Sequence, residues 1–506
     1  MRRPYNNGVS DLLDLVRGCT FDDFLLTPQH SVVERRDPST IDLTARISQR
    51  LTLKRPIVSA NMDTVTRSEM AIAVAEEGGI GIIDRGFRSG EIDPQVREVQ
   101  IVKRKQHGVI SDPYTIGPSD SLSEAAARMQ RTGVGTLVVV DGQRRVQGLL
   151  TTRDLRFAAE PSQGGATVAS RMTPRERLIV HAGDADPAVA EETMRVHKIK
   201  KLPLVEPDGR LRGLITAKDL ISQRHLPFAT RDGQGRLRVG AAIGAKGDYL
   251  ERAAELLKAE ADVIVIDIAH GHSVVMARAI EAFRKRFGDV ELIAGNVATA
   301  EGTTFLVERG VNGIKVGIGP GGGCTTRLNT NFGVPQVQAL AECRTASGGR
   351  VPLIADGGVK RHGALVQALL FGGDTVMLGS VLAGTTETPG EVVQKPVVVP
   401  ESSKTVRVPF KVFRGMASLE AIVDRLDVED LDQADVEALG AEGMEISVPV
   451  RGSVRPLLRD MLKHLCSAVS YSGARSLSDM QEQFRKDPSR YVIRLTESSR
   501  RESFDR

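Results

Sequence analysis

The stretch GIGPGGGCTTR, Gly317 to Arg327, sets a cysteine behind a glycine loop and ahead of two threonines. Glycine neighbours give a thiol nothing apolar to bury against, and backbone N–H groups nearby can lower its pKa. Cys324 is therefore read as a nucleophile that reacts as the thiolate. Thr326, two residues on, brings a hydroxyl able to relay a proton between a leaving group and a carboxylate. Cys343 in VQALAECRTA and Cys466 in LKHLCSAV lie inside helical patterns, where a thiol packs as a small hydrophobe. The setting of Cys19 is too plain to assign.

Two more glycine turns carry chemistry: ADGGV, Ala355 to Val359, and LGS, Leu378 to Ser380. Backbone N–H groups at glycine can approach a dianion closely, so a phosphorylated ligand is expected there. Asp356 can accept hydrogen bonds from ribose hydroxyls, which favours a nucleotide; the plain alternative is an aspartate capping a turn.

These turns end apolar runs that must position them. PIVSANMD from Pro56, GIGIID from Gly79, RVGAAIG from Arg238 and VIVIDIAHG from Val263 are followed by ELIAGNVAT from Glu291, GIKVGIGPG from Gly313, VPLIADGGV from Val351 and TVMLGSVLAG from Thr375. Most are separated by helical patterns such as YLERAAELLKAEA. Runs buried on both faces and alternating with helices require a parallel sheet. Eight of them predict a closed (β/α)₈ barrel, with an open doubly wound sheet as the alternative, and place the glycine turns where barrel phosphate sites gather.

Between the second and third runs lies an insertion of about 120 residues, too long for a structureless loop. It contains a repeat: GTLVVVDGQRRVQGLLTTRDL, Gly135 to Leu155, is echoed by KLPLVEPDGRLRGLITAKDL, Lys201 to Leu220. The two copies resemble a tandem pair of CBS motifs, which implies purine nucleotide effectors at Thr151, Asp154, Thr216 and Asp219. A packing module without ligand is the alternative. The expected division is residues 1–108 and 223–506 for the barrel and 109–222 for the inserted module.

Bulk properties narrow the class. Lys plus Arg number 68 against 64 Asp plus Glu, and the basic residues are scattered, which argues against a nucleic-acid partner. The first twenty residues lack an apolar signal-like core and no run approaches a membrane span, so a cytoplasmic protein with no membrane partner is expected. Four cysteines without a CxxC pair point away from disulfides and structural zinc.

GIGPGGGCTTR, ANMDTVT (Ala60 to Thr66), IADGG, MLGSVLAGT and FKVFRGMASLEA (Phe410 to Ala421) resemble the IMP dehydrogenase and GMP reductase family over nearly the whole chain. The resemblance implies that Cys324 attacks C2 of the purine. Asp356 and Gly358 would hold ribose and phosphate, and Gly322, Gly379 and Ser380 would complete the phosphate site. Met62 and Met416 would contact the base, with Phe413, Gly415 and Ala417 in the same pocket. Asp267, Asn296 and Gly317 match positions at the nicotinamide end of the cofactor. A monovalent cation, K⁺, would bind the loop at Gly319, Gly321 and Cys324 with Glu502 and Ser503 from a neighbouring subunit, implying a homotetramer or octamer. Gly322, Phe413, Ala417 and the pair Asp84-Arg85 depart from the family's usual residues.

Both reactions of that family form a purine adduct on the cysteine and move a hydride at C2. A dehydrogenase then hydrolyses the adduct with an Arg-Tyr pair on its flap, whereas Arg425 here is followed by Leu426, which has no proton to exchange. A reductase protonates departing ammonia with a threonine and a glutamate, matched by Thr326 and Glu442. Asn61 also resembles the reductases, while the CBS repeats and the length resemble the dehydrogenases. The residues imply NADPH-dependent reduction of GMP to IMP. Oxidation of IMP to XMP with NAD is the alternative, and a catalytically silent nucleotide sensor the second.

Overall fold

The computed structural model of the chain describes residues 8–88, 90–105, 109–110, 113–156, 166–183, 186–217, 220, 226–399, 404–425 and 440–504. Each of the eight apolar runs forms a strand: β1 (Ile57–Ser59), β2 (Ile80–Ile83), β3 (Val239–Ile243), β4 (Val263–Asp267), β5 (Leu292–Val297), β6 (Gly313–Val316), β7 (Leu353–Asp356) and β8 (Thr375–Leu378). They close in the order β3-β4-β5-β6-β7-β8-β1-β2, every neighbour parallel, which is the expected (β/α)₈ barrel. Val58, Ile80, Ile82, Val263, Val265, Ile293 and Ile354 pack together in its core, as near-continuous apolar strands demand. Burial of each such side chain contributes roughly 1.5–3 kcal/mol.

The structural glycines mark close approaches. A Cβ on Gly81 in β2 would sit 2.4 Å from the Ala71 Cα, so only glycine lets the helix Ser68–Glu76 lie against this strand. At the mouth of the barrel Gly317 takes φ +152°, and a Cβ there would meet the Asp356 carbonyl oxygen at 2.0 Å.

After the barrel strands the chain makes a three-stranded antiparallel sheet, β9 (Val393–Val399), β10 (Lys404–Arg414) and β11 (Glu445–Pro449). Its register pairs Arg414 with Glu445, so the turn residues after β10 and before β11 are brought side by side.

The chain divides into two units. One comprises residues 1–103, 228–232 and 237–506; the other comprises 104–227 and 233–236, wider at each end than the 109–222 span the repeats suggest. Arg104 belongs with the second unit because its guanidinium bonds to the Tyr114 hydroxyl at 3.2 Å. Thr230 returns to the first, its hydroxyl donating to the Gly78 carbonyl at 2.6 Å. Within the second unit are two four-stranded sheets, each holding an antiparallel pair from one repeat: Thr136–Val140 with Val146–Thr151, and Lys201–Val205 with Leu211–Thr216. Among the described residues no helix is long and apolar enough to cross a membrane.

Candidate active site

The barrel's carboxyl-end loops and the turns of the antiparallel sheet enclose one cavity. Cys324, Thr326 and Glu442 line it, with Met62, Gly322, Asp356, Gly358, Gly379, Ser380, Phe413, Gly415, Met416 and Ala417. Asp267, Asn296, Gly317, Gly319 and Gly321 line it too. Residues spread over nearly four hundred positions thus meet because β1, β4, β5, β6, β7 and β8 all end there, on the face where barrel sites form.

Cys324 is half-buried, whereas Cys19, Cys343 and Cys466 are buried. Burial pushes the Cys343 thiol up to about 12 and the Cys466 thiol up to about 11, so both are inert. The Cys324 Sγ donates to the Thr326 Oγ1 at 3.2 Å, and that hydroxyl donates to the Glu442 Oε2 at 2.7 Å. A thiol, a hydroxyl and a carboxylate therefore stand in one line.

Backbone pairing holds that line. The Thr325 N–H donates to the Glu442 carbonyl at 2.9 Å and the Met444 N–H to the Gly323 carbonyl at 3.0 Å, with Cys324 bridged to Gly443. The Glu442 N–H donates to the Ala417 carbonyl and the Gly415 N–H to the Met444 carbonyl. Gly415 and Gly443 are required at this crossing, since a Cβ on either would lie 2.4–2.6 Å from backbone atoms of the other segment or of Ser418.

A second cluster lies deeper. The Lys315 Nζ, on β6 inside the barrel, is 2.8 Å from the Asp267 Oδ2 and 2.8 Å from the Asp356 Oδ2, and donates to the Asn61 Oδ1 at 3.3 Å. Asn61 Nδ2 donates to the Asp267 Oδ2 at 2.5 Å. Burial works against the charged form of Lys315, but the two carboxylates outweigh burial and raise its pKa above the ordinary lysine value. Burial likewise works against ionised Asp267, yet Lys315 and then Arg85 hold it below the usual carboxylate range. Lys315 was not among the residues singled out from sequence. The signal was there, a lone cation within the apolar run GIKVG.

Asn296 Nδ2 donates to the Gly317 carbonyl at 2.7 Å and the Asp356 Oδ2 at 2.8 Å. Its Oδ1 is buried with no partner, an acceptor beside the cavity that suits the amide N–H of a carboxamide. Arg425 Nη2 donates to the Met416 carbonyl at 2.8 Å, and burial, then Arg85, push its pKa down to about 10. Leu426 lies outside the described residues.

Asp84, at the end of β2, is fully buried against Arg67 at 3.4 Å and accepts from the Gly86 N–H at 2.7 Å. Burial raises its pKa from 3.8 to about 6. The folded chain thus holds this proton more tightly than the unfolded chain, and ionised Asp84 costs stability above about pH 6, a cost that fades as pH falls toward 4. Asp84→Asn is expected to stabilise the protein at pH 8, by up to about 3 kcal/mol, and by much less at pH 5. Thermal melts at the two pH values measure this; a larger gain at pH 5 contradicts it.

Other candidates are not among the residues that line the cavity. Thr151 and Asp154 are together, the Asp154 Oδ2 accepting from both the N–H and the Oγ1 of Thr151 at 2.7 Å. Thr216 ends its strand at the equivalent place in the second repeat; Asp219 lies outside the described residues. Glu502 and Ser503 sit on the helix Glu497–Phe504 and do not line the cavity.

Fold and cavity define a (β/α)₈ barrel enzyme with its site at the carboxyl ends of the strands. Residues 18–505 match the model of the IMP dehydrogenase / GMP reductase domain, and the chain belongs to that family of oxidoreductases of purine metabolism. It is 42% identical over 487 residues to an inosine-5'-monophosphate dehydrogenase of Aquifex aeolicus (strain VF5), covering 96% of this chain and 94% of that protein. It is 41% identical over 506 residues to a GMP reductase of Leishmania major, covering 98% of each. A GMP reductase variant from Trypanosoma brucei, solved in complex with guanosine 5'-monophosphate, superposes with a TM-score of 0.84 at 37% identity, covering 96% of this chain and 97% of that one.

Proposed function

We propose that the chain catalyses reductive deamination of GMP: GMP, NADPH and two protons give IMP, NADP⁺ and ammonium. The observation that carries this reading is the line from the Cys324 Sγ through the Thr326 Oγ1 to the Glu442 Oε2, at 3.2 and 2.7 Å. The Cys324 sulfur adds to C2 of the guanine, and the C2–N bond breaks as Thr326, recharged by Glu442, protonates the departing ammonia. Asp356 and Gly358 hold ribose and phosphate together with Gly322, Gly379 and Ser380, while Met62, Phe413, Gly415, Met416 and Ala417 enclose the base. Asp267, Asn296 and Gly317 would hold the ring end of a nicotinamide, which when bound would supply the hydride needed at C2.

Arg425 supports the same reading, because its guanidinium is engaged with the Met416 carbonyl and the residue after it is leucine. The carbonyl oxygens of Gly319, Gly321 and Cys324 are hard donors suited to a monovalent cation such as K⁺, which Glu502 and Ser503 of a second copy would complete in a tetramer or octamer. Thr151, Asp154, Thr216 and Asp219 form the proposed purine effector sites of a CBS module, and a cytoplasmic location suits these substrates. The likeness to the Aquifex aeolicus dehydrogenase favours a second reading, oxidation of IMP to XMP with NAD.

Incubation with GMP and NADPH, and separately with IMP, NAD and potassium, discriminates the two. Loss of NADPH with IMP formed is expected; NADH and XMP appearing instead would overturn the reductase reading. Glu442→Gln keeps the shape of the acid but cannot recharge Thr326, and is expected to lower kcat by 10²–10⁴-fold with a small effect on the GMP KM. An unchanged kcat removes Glu442 from the proton path.

A further inference from the structure

Away from the cavity, His362, Asp460 and His464 bring three metal-ligating side chains together, with one donor atom from each lying within 4.8 Å of the others. His362 is the first residue of the helix His362–Leu370, which follows β7. Asp460 and His464 are one turn apart on the helix Val454–Tyr471, a spacing that puts both on the same face.

The His362 to Asp460 separation is that of ligands rather than of bonded partners: His362 Nδ1 stands 3.6 Å from the Asp460 Oδ2, too long for a hydrogen bond. Ligands around a tetrahedral ion with bonds of about 2.0–2.1 Å are themselves about 3.3–3.5 Å apart. The two rings lie 4.6 Å apart at 32°. His464 Nδ1 is also 2.9 Å from the carbonyl oxygen of Asp460. With Nδ1–H donating there, Nε2 keeps the lone pair, the arrangement by which an outer hydrogen bond fixes the tautomer of a metal-binding imidazole.

We propose that His362, Asp460 and His464 bind a first-row divalent cation, Zn²⁺ or a chemical equivalent, and so clip two helices outside the barrel together. Two imidazoles with one carboxylate suit zinc, cobalt or nickel, whereas magnesium and calcium require an oxygen set. The side chains are 31%, 52% and 55% exposed, which gives an ion a path in and leaves coordination positions for water. The clip would also brace the segment from Gly358 to His362, which leads directly out of the candidate nucleotide site.

Co²⁺ reports such a site by its visible absorption, independently of activity. Metal-stripped full-length protein titrated with Co²⁺ is expected to develop a visible band that saturates at one equivalent per chain and is bleached by Zn²⁺. Zn²⁺ should raise Tm, while His464→Asn and, separately, His362→Asn should weaken Co²⁺ binding at least about tenfold and abolish that rise. Because His464 is surface-exposed, its variant is expected to match the parent in circular dichroism and gel filtration, which keeps the comparison on binding. The proposal is overturned if no band saturates, if both variants bind undiminished, or if the spectrum shows the near-ultraviolet sulfur-to-cobalt transition that places the ion on Cys324.

Discussion

Cys324→Ser is expected to lower turnover of GMP at least about a thousandfold while GMP binding changes little, because serine keeps the shape of the residue and loses the nucleophile. The hydroxyl has a far higher pKa than a thiol, so with the same relay through Thr326 to Glu442 far less of it ionises. Single-turnover assays and calorimetry with GMP separate the two effects. Activity within tenfold of the parent sinks the covalent mechanism, whereas loss of GMP binding along with turnover makes Cys324 part of the binding site rather than the attacking group.

Lys315→Met should be nearly as damaging, for an electrostatic reason. The ammonium stands 2.8 Å from carboxylates that the proposed mechanism assigns to different ligands, Asp356 to the ribose and Asp267 to the nicotinamide end. Its removal leaves two acids buried without their cation, which costs the fold about 3–5 kcal/mol; the same loss in the transition-state complex would lower kcat/KM by roughly two to four orders of magnitude. KM is expected to rise for both GMP and NADPH, since one lysine braces both sites. A new pH dependence should appear as well. Without Lys315 the charge that holds the Asp267 carboxyl below its usual range against burial is gone, so its pKa rises and activity falls as pH drops through that raised value. Lys315→Arg, which keeps the charge, should restore part of the loss. Equal, pH-independent loss in both variants with KM unchanged would reduce Lys315 to a packing residue.

The barrel could be read from the chain because its strands are buried on both faces and spell themselves out as apolar runs ending in glycine. The same turns gave the cavity, since glycine is called for at Gly317 by the approach of the Asp356 carbonyl and at Gly358 by a φ of +81°, as much as by ligand. Lys315 escaped notice because one cation in a short apolar run reads as a side chain reaching for solvent. Only the closed barrel, by setting β7 beside β6 and β4 one strand beyond β5, shows that it faces two acids instead. The antiparallel sheet was missed for the opposite reason: Val393, Val398, Val406 and Ile446 are exposed, so inside-outside alternation does not mark β9 to β11. The cluster of His362, Asp460 and His464 joins two helices distant in sequence, and no local pattern announces it. The pairing of Thr326 with Glu442 was suggested by family motifs, and spacing alone would not have found it.

Thr326 and Glu442 are 116 residues apart in the chain, yet their contact rests on a few backbone hydrogen bonds between the cysteine loop and residues 442–444. The acid therefore has no existence as a local motif. If the segment ahead of β11 peels away from the loop, the thiol loses its proton relay in the same movement that opens the cavity, and purine chemistry stops while nucleotide is still able to come and go. In the proposed mechanism, docking of this segment would be a latch and an ignition contact at once, and the fraction of time it stays closed would set a ceiling on the rate that no improvement at Cys324 itself could lift.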